Sequence, residues 1–409
     1  MGLWIQSSIF RGVYNQYSRK FFNHNNMIVG IDASNLQGGG GLTHLVEILS
    51  NLNIHKHNVS KVIIWGGEQT LSQIYNYPWL KKIIPEELNR GLFSRLIWQK
   101  FGLSNSAIDN NCDLIFVPGG SVFCNFRPIV TMSQNMLPFE WHETRRYGIS
   151  WITLRLILLR WLQSKSFRSA DGLIFLTNYA KEQVVKVVGN IMSPSTIIPH
   201  GLDSRFCIYP KQQYDMTEYS STRPFQILYV SIVDQYKHQW NVVEAVSKLR
   251  KEGYPVALNL VGPSYLPAKN RLVESINKFD VNNEWAKYHE AVPYLELHNI
   301  YKDANLGVFA SSCENLPIIL LETMASGIPI ACSNRGPMPE VLGNAGVYFN
   351  PERPAEIYYA IKKLIDSIQL RSEKSQASYS KAKEYTWDTC AFETFSFLEE
   401  VFINYQESE

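Results

Sequence analysis

Lys237, Glu314 and Glu322 are the charged side chains whose spacing suggests chemistry. The two glutamates bracket the stretch Glu314-Asn315-Leu316-Pro317-Ile318-Ile319-Leu320-Leu321-Glu322, which follows the strand-like run Leu306 to Ala310 and opens an apolar helix. Pro317 falls in the expected first turn, where its missing N–H costs nothing, and Gly327 is the expected C-cap. Backbone N–H groups around Leu316 to Ile319 then face outward with the positive end of the helix dipole, a ready seat for a diphosphate. At a rise of about 1.5 Å per residue the two carboxylates stand roughly 12 Å apart, a span that straddles a diphosphate with a sugar at one end and a ribose at the other. Lys237 lies in the loop Ser231 to Trp240, ahead of a helix, where a phosphate would be met. Taken alone, the glutamate pattern also fits a capped core helix and the lysine a solvated charge.

The elements that must position these groups alternate between strand and helix. Met27 to Ala33 is a buried strand that runs into Gly38-Gly39-Gly40-Gly41 and then the helical pattern Leu42, Leu45, Val46, Leu49. Four glycines let the backbone approach a ligand closely, although their spacing is not the dinucleotide fingerprint. Further strand-like runs follow at Lys61 to Trp65, Leu114 to Val117, Pro128 to Met132, Gly172 to Thr177 and Thr196 to Pro199. After Pro199-His200-Gly201-Leu202-Asp203 the pattern lapses into a polar linker, 204–224, and a second alternation begins. It runs through Phe225 to Val230, Ala257 to Gly262, Leu306 to Ala310, Ile328 to Cys332 and Val347 to Phe349. The expected architecture is α/β: two Rossmann-like domains, 27–203 and 225–385, face a central cleft, and a helix over 386–409 returns to the first domain. Ligands collect beyond the carboxyl ends of parallel strands, so the loops Pro118 to Ser121 and Ser133-Gln134-Asn135 followed by Pro138-Phe139-Glu140 are candidates for holding an acceptor, or plain turns.

The 409 residues, 45% apolar and 19% charged with a net charge of +2, are enough for two domains and do not have the composition of a disordered chain. Six cysteines lie scattered without paired metal-ligand spacing, which favours a reduced, cytoplasmic setting over a disulfide framework. No apolar run has the length of a membrane span, and no stretch resembles a cleavable signal peptide. Nothing points to a nucleic-acid partner.

Two segments are basic and aromatic. Residues 1–26 carry Arg11, Arg19 and Lys20 and no acid, and are expected to be an extension dispensable for the fold, resting on a membrane or lying upstream of a true start at Met27. From Arg145 to Arg168 six basic residues alternate with Trp151, Leu154, Leu158, Trp161 and other apolar positions, again without an acid. That pattern fits a core helix with snorkelling arginines or a helix resting at the inner face of a membrane.

Over about residues 27–400 the chain resembles the retaining glycosyltransferases of family 4, which have the GT-B fold. The resemblance rests on Gly38 to Gly41, Pro199 to Asp203, the loop with Lys237, Val292-Pro293-Tyr294 to Tyr301, and above all Glu314 to Glu322 followed by Ala325-Ser326-Gly327-Ile328-Pro329. It implies that Glu322 holds the donor ribose, that Glu314 lies near the donor sugar and that Lys237 neutralises the diphosphate, making Glu314 and Lys237 the catalytic pair. Asn315, Leu316, Pro317, Ile318, Ser231 and Gly262 then complete the donor side, and Gly39, Gly40, Gly41, Gln134, Asn135 and His200 the acceptor side. The donor would be a nucleotide-sugar and the acceptor a saccharide or lipid-linked saccharide of a bacterial surface polysaccharide. No cofactor is expected, the nucleotide-sugar being the donor substrate, and no metal, which suits the absence of an Asp-x-Asp motif. The sequence departs from the family at Ile232, where an arginine is usual. A sugar-nucleotide epimerase of the same fold and a non-catalytic subunit are the alternatives, and the glycine spacing disfavours a nicotinamide oxidoreductase.

Overall fold

A computed structural model describes residues 27–408, so the expectations for residues 1–26 lie outside the described residues. The first sheet has seven strands: β1 (Met27–Asp32), β2 (Val59–Trp65), β3 (Leu80–Ile83), β4 (Leu114–Val117), β5 (Ile129–Met132), β6 (Gly172–Phe175) and β7 (Ser195–Ile197). They lie in the order β3-β2-β1-β4-β5-β6-β7 and every pairing is parallel. The second sheet has six: β8 (Phe225–Val230), β9 (Val256–Val261), β10 (Ala286–His289), β11 (Leu306–Phe309), β12 (Ile330–Ser333) and β13 (Val347–Phe349), ordered β10-β9-β8-β11-β12-β13 and again all parallel. β4, β5, β6, β11 and β12 are buried at every position, as strands covered by helices on both faces must be.

The order reverses direction at β1–β4 in one sheet and at β8–β11 in the other. In such sheets the crevice forms beyond the carboxyl ends at that switch point. The two crevices face one another: Asn315, after β11, bonds Ser133, after β5, and Ser312 bonds Glu143 of the first domain.

β3 and β10 escape a reading by buried runs because they are edges. Their sequences, LKKI and AKYH, are only partly buried and carry lysines, which is how an edge strand avoids pairing with another chain.

The C-terminal helix, Trp387–Ser408, lies against the first sheet. A Cβ on Gly172 in β6 would stand 2.6 Å from Val401 and 3.3 Å from Phe397. At Gly201 a Cβ would come within 2.2 Å of the Trp387 nitrogen, so only glycine lets the loop after β7 meet the start of this helix. Leu202 N–H donates to the Tyr385 carbonyl at 3.1 Å at the same crossing. One apolar core therefore runs through both domains and includes Ala391, Phe395 and Leu398.

The helix Trp151–Ser169 is not the inward-facing core helix that its apolar content allowed. Trp151, Leu154, Leu158 and Trp161 point to solvent, at 76, 56, 54 and 62% exposure, with Arg155, Lys165 and Arg168 exposed among them. The inward face instead holds Leu156, Gln163, Ser164, Ser166 and Phe167. Phe93, Ile97 and Phe101 form a second outward apolar stripe on the helix Leu92–Phe101. Among the described residues no helix is long and apolar enough to cross a membrane.

Candidate active site

The helix Ile318–Ala325 starts one residue later than the sequence suggests, with Pro317 as the capping residue and Gly327 just past the end at φ +63°. The Ile318 N–H turns back to the Leu316 carbonyl at 3.0 Å, so that donor, expected to face a ligand, is already used. Leu316 and Pro317 are buried, whereas Ile318 reaches toward the glycine loop, 3.8 Å from where a Cβ on Gly40 would be.

Lys237 and Glu314 form an ion pair at the carboxyl end of the second sheet. The lysine is 4% exposed and its ammonium lies 5.0 Å from the Tyr236 ring centroid and 5.4 Å from that of Phe309. Aromatic faces hold the cation where few water molecules reach it, and the Glu314 carboxylate pairs with it. Ser231 is buried beside this loop, and Gly262, at φ +144°, packs so closely on the Ser231 carbonyl that a Cβ would fall 2.3 Å away. Ile232 is 37% exposed and brings no charge.

Glu322 is 2% exposed. Tyr294 donates its hydroxyl to Glu322 Oε1 at 3.1 Å, and Oε2 has no hydrogen-bond partner. Burial pushes the carboxyl up to about 8 against the Tyr294 hydrogen bond, which favours the charged form. Arg205, held by Asp203, lies over the Tyr294 ring at 4.7 Å. This cage ties the loop after β7 to the helix Ile318–Ala325, and sequence spacing alone does not reveal it.

The first domain supplies the opposite wall. Asn315 Nδ2 donates to the Ser133 carbonyl at 3.0 Å, and Thr177 Oγ1 donates to the Asn315 carbonyl at 3.0 Å while also capping its own helix. Glu143 accepts from Ser312 Oγ at 2.7 Å and from Arg146 Nε at 2.7 Å. Burial opposes its charge, but these partners more than offset that and hold its pKa below the usual value. Glu140, beside Tyr179 Oη at 2.7 Å, is pushed by burial up to about 7, with the Glu143 and Glu314 charges adding to the rise. Tyr147 donates to Asp234 at 2.9 Å across the same gap. Asn315, Ser133 and Glu140 fall in stretches the sequence singles out, whereas Thr177, Glu143, Arg146, Tyr179, Tyr147, Ser312 and Asp234 do not emerge as site residues because each meets its neighbour through tertiary structure.

Gly39 takes φ +69° at the start of the helix Gly40–Ser50, and Gly39 and Gly40 are exposed. A Cβ on Gly41 would meet Gln134 Oε1 at 2.7 Å, so the glycine loop and Gln134 share one corner of the cleft. Asn135 is exposed there and caps Leu137 N–H at 3.1 Å. His200 departs from its expected place on the acceptor side. It is 4% exposed and packs between His44 and Trp387, so its ring has no free face to offer an acceptor.

Residues 212–383, which include the Lys237 loop and the helix Ile318–Ala325, match the family described as glycosyl transferases group 1. The chain is 24% identical over 231 residues to the O-antigen chain mannosyltransferase B of Escherichia coli, covering 56% of this chain and 57% of that protein. It is 22% identical over 236 residues to a glycogen synthase of Mycobacterium tuberculosis, covering 57% of this chain and 55% of that one. The chain spans about half the length of these curated relatives. Among solved structures, sucrose-phosphate synthase from Thermosynechococcus elongatus superposes with a TM-score of 0.71 at 15% identity, over 92% of this chain and all of that one. Anabaena HepE in complex with UDP-glucose gives 0.63 at 14% identity, over 94% and 100%. The fold is GT-B, with two parallel-sheet α/β domains about a cleft.

Proposed function

We propose that the chain is a glycosyltransferase that moves a hexose from a nucleotide-sugar to a saccharide or lipid-linked acceptor, with retention of configuration. The observation that carries this reading is the unpartnered, enclosed Oε2 of Glu322 in the same wall as the Lys237–Glu314 pair. A buried carboxylate oxygen without a donor is costly, and a ribose hydroxyl would satisfy it. Lys237 then meets the diphosphate and Glu314 the sugar. The UDP and UDP-glucose complexes of HepE support a nucleotide-sugar donor, and the likeness to an O-antigen mannosyltransferase supports a surface-polysaccharide acceptor.

In the proposed reaction the bond from the anomeric carbon to the phosphate oxygen breaks and that carbon bonds the acceptor oxygen on the same face. The acceptor proton passes to the departing phosphate. Negative charge grows on the leaving group, so Lys237 and the N-terminal end of the Ile318–Ala325 helix stabilise the transition state more than the ground state. Neither a divalent metal nor a cofactor takes part in this scheme.

A lipid-linked acceptor would place the enzyme at a membrane. The outward Trp151, Leu154, Leu158 and Trp161, set among exposed arginines and a lysine and without an acid from 145 to 168, suit the headgroup region of an anionic leaflet.

The test is a panel of nucleotide-sugars scored for thermal stabilisation and donor hydrolysis, with and without Mg2+ or Mn2+. One donor should stabilise the wild type and be turned over without added metal, and Glu322→Gln should weaken its binding. A panel in which no donor binds would overturn the reading. Release of a free epimer with no glycoside formed would favour the epimerase.

A further inference from the structure

Away from the donor wall, three side chains from distant segments converge: His44 on the helix Gly40–Ser50, His200 after β7 and Cys390 on the C-terminal helix. They are 0, 4 and 1% exposed, and one ligand atom from each lies within 4.8 Å of the others. The imidazole centroids are 4.6 Å apart, and Trp387 closes over both rings at 6.0 and 5.7 Å. His44 Nε2 and His200 Nδ1 have no hydrogen-bond partner. Two enclosed imidazole nitrogens left unpaired are expensive, and a thiol beside them completes a donor set of the softness that zinc selects.

We propose that His44, His200 and Cys390 form a structural zinc site that fastens the C-terminal helix to the first domain. Zinc bonds of about 2.0–2.3 Å put donor atoms roughly 3.3–3.7 Å apart, so side-chain rotations that close the separations by about an ångström complete the site. A water fills the fourth position. As the sulfur–zinc bond forms, the Cys390 proton leaves to solvent, and both imidazoles bind as neutral ligands. With zinc on Nε2, His44 carries its proton on Nδ1, 3.4 Å from the Gln134 amide, which turns its oxygen to accept it. The site includes neither Lys237, Glu314 nor Glu322, and stands or falls independently of the glycosyl-transfer reading.

The experiment uses the full chain, without a polyhistidine tag, made in zinc-supplemented medium and dialysed free of loose metal. Elemental analysis should find about one zinc per chain, and stripping it should lower the melting temperature. Replacement by Co2+ should give a thiolate-to-cobalt charge-transfer band that Cys390→Ser abolishes. Zinc below about a tenth per chain, with no charge-transfer band in the cobalt-treated protein, overturns the site. So does zinc retained undiminished by Cys390→Ser and His44→Gln, which would place it elsewhere. Where the variants fail to fold, the wild-type cobalt spectrum decides alone.

Discussion

Asn315 Nδ2 joins the two domains by donating to the buried Ser133 carbonyl oxygen at 3.0 Å and, at a longer 3.4 Å, to Ser133 Oγ, across 182 residues of sequence. Asn315→Ala leaves the Ser133 carbonyl enclosed without that donor and should cost roughly 1–3 kcal/mol of stability. Urea unfolding of the two proteins measures it. A loss within error would mean that water replaces the amide without penalty.

The Lys237–Glu314 pair should matter more to turnover than to donor affinity. Lys237→Ala is expected to raise the barrier by about 2–4 kcal/mol, by analogy with removing one oxyanion donor, and Ile232 brings no second cation to soften the loss. Glu314→Gln should also fall mainly on turnover. Kinetics and donor titrations on variants shown folded by circular dichroism separate the two effects. Near-native turnover in both would return the stretch to a capped core helix.

Glu322 links donor binding to protons. Its folded pKa of about 8 lies above its ordinary 4.5, so between those values the folded state holds a proton that the unfolded chain has released. Stability from this group is therefore present below about pH 4.5 and is lost as pH rises toward 8. Melting temperature should decline across that window, and Glu322→Gln should flatten the decline. If ribose hydroxyls bond the ionised carboxylate, donor binding near neutral pH should release a proton. Calorimetry in buffers of different ionisation enthalpy detects it, and a buffer-independent enthalpy would separate Glu322 from the ribose.

Much of this architecture is legible in the sequence, because central parallel strands are enclosed on both faces and so run as unbroken apolar stretches, as in Leu114 to Val117. The edge strands β3 and β10 lack that signature. Glu322 is marked by its place in a motif, but its partner Tyr294 lies on another helix and Arg205 at the start of the linker, and periodicity carries no information about such contacts. Glu140 stands in a readable loop, but its partner Tyr179 is hidden for the same reason. His200 sits in a readable segment, yet only the packing of Trp387 shows that its ring is enclosed. Apolar and basic residues surround the Trp151–Ser169 helix on all sides in sequence, so which face meets the protein is decided by what lies beneath it.

Membrane contact has its own signature. Co-sedimentation with anionic vesicles should fall with added salt and with charge reversal of Arg155 and Arg160, each basic residue near the surface contributing about 1 kcal/mol. Trp151→Ser with Trp161→Ser should weaken binding even at low salt. Binding indifferent to all these changes would remove the helix as the contact.

The C-terminal helix packs on the first sheet, so truncation before Trp387 should lower amide protection in β4 and β6 as well as in the second domain. Hydrogen exchange localises the loss. Unaltered protection in those two strands would show that the helix adds nothing to the first domain.

The crossing at Gly201 and Leu202 has a mechanical meaning. The chain passes between domains twice, after Asp203 and again before Trp387, and the Leu202–Tyr385 bond and the backbone of Gly201 against Trp387 lay the two passages side by side. Two adjacent covalent pins make a hinge with one easy axis. Rotation about that axis would leave Leu202 bonded to Tyr385, whereas a twist at right angles would pull that bond open. Parting the two sheets about this crossing would break the Asn315–Ser133 bond, and closing along the same arc would remake it.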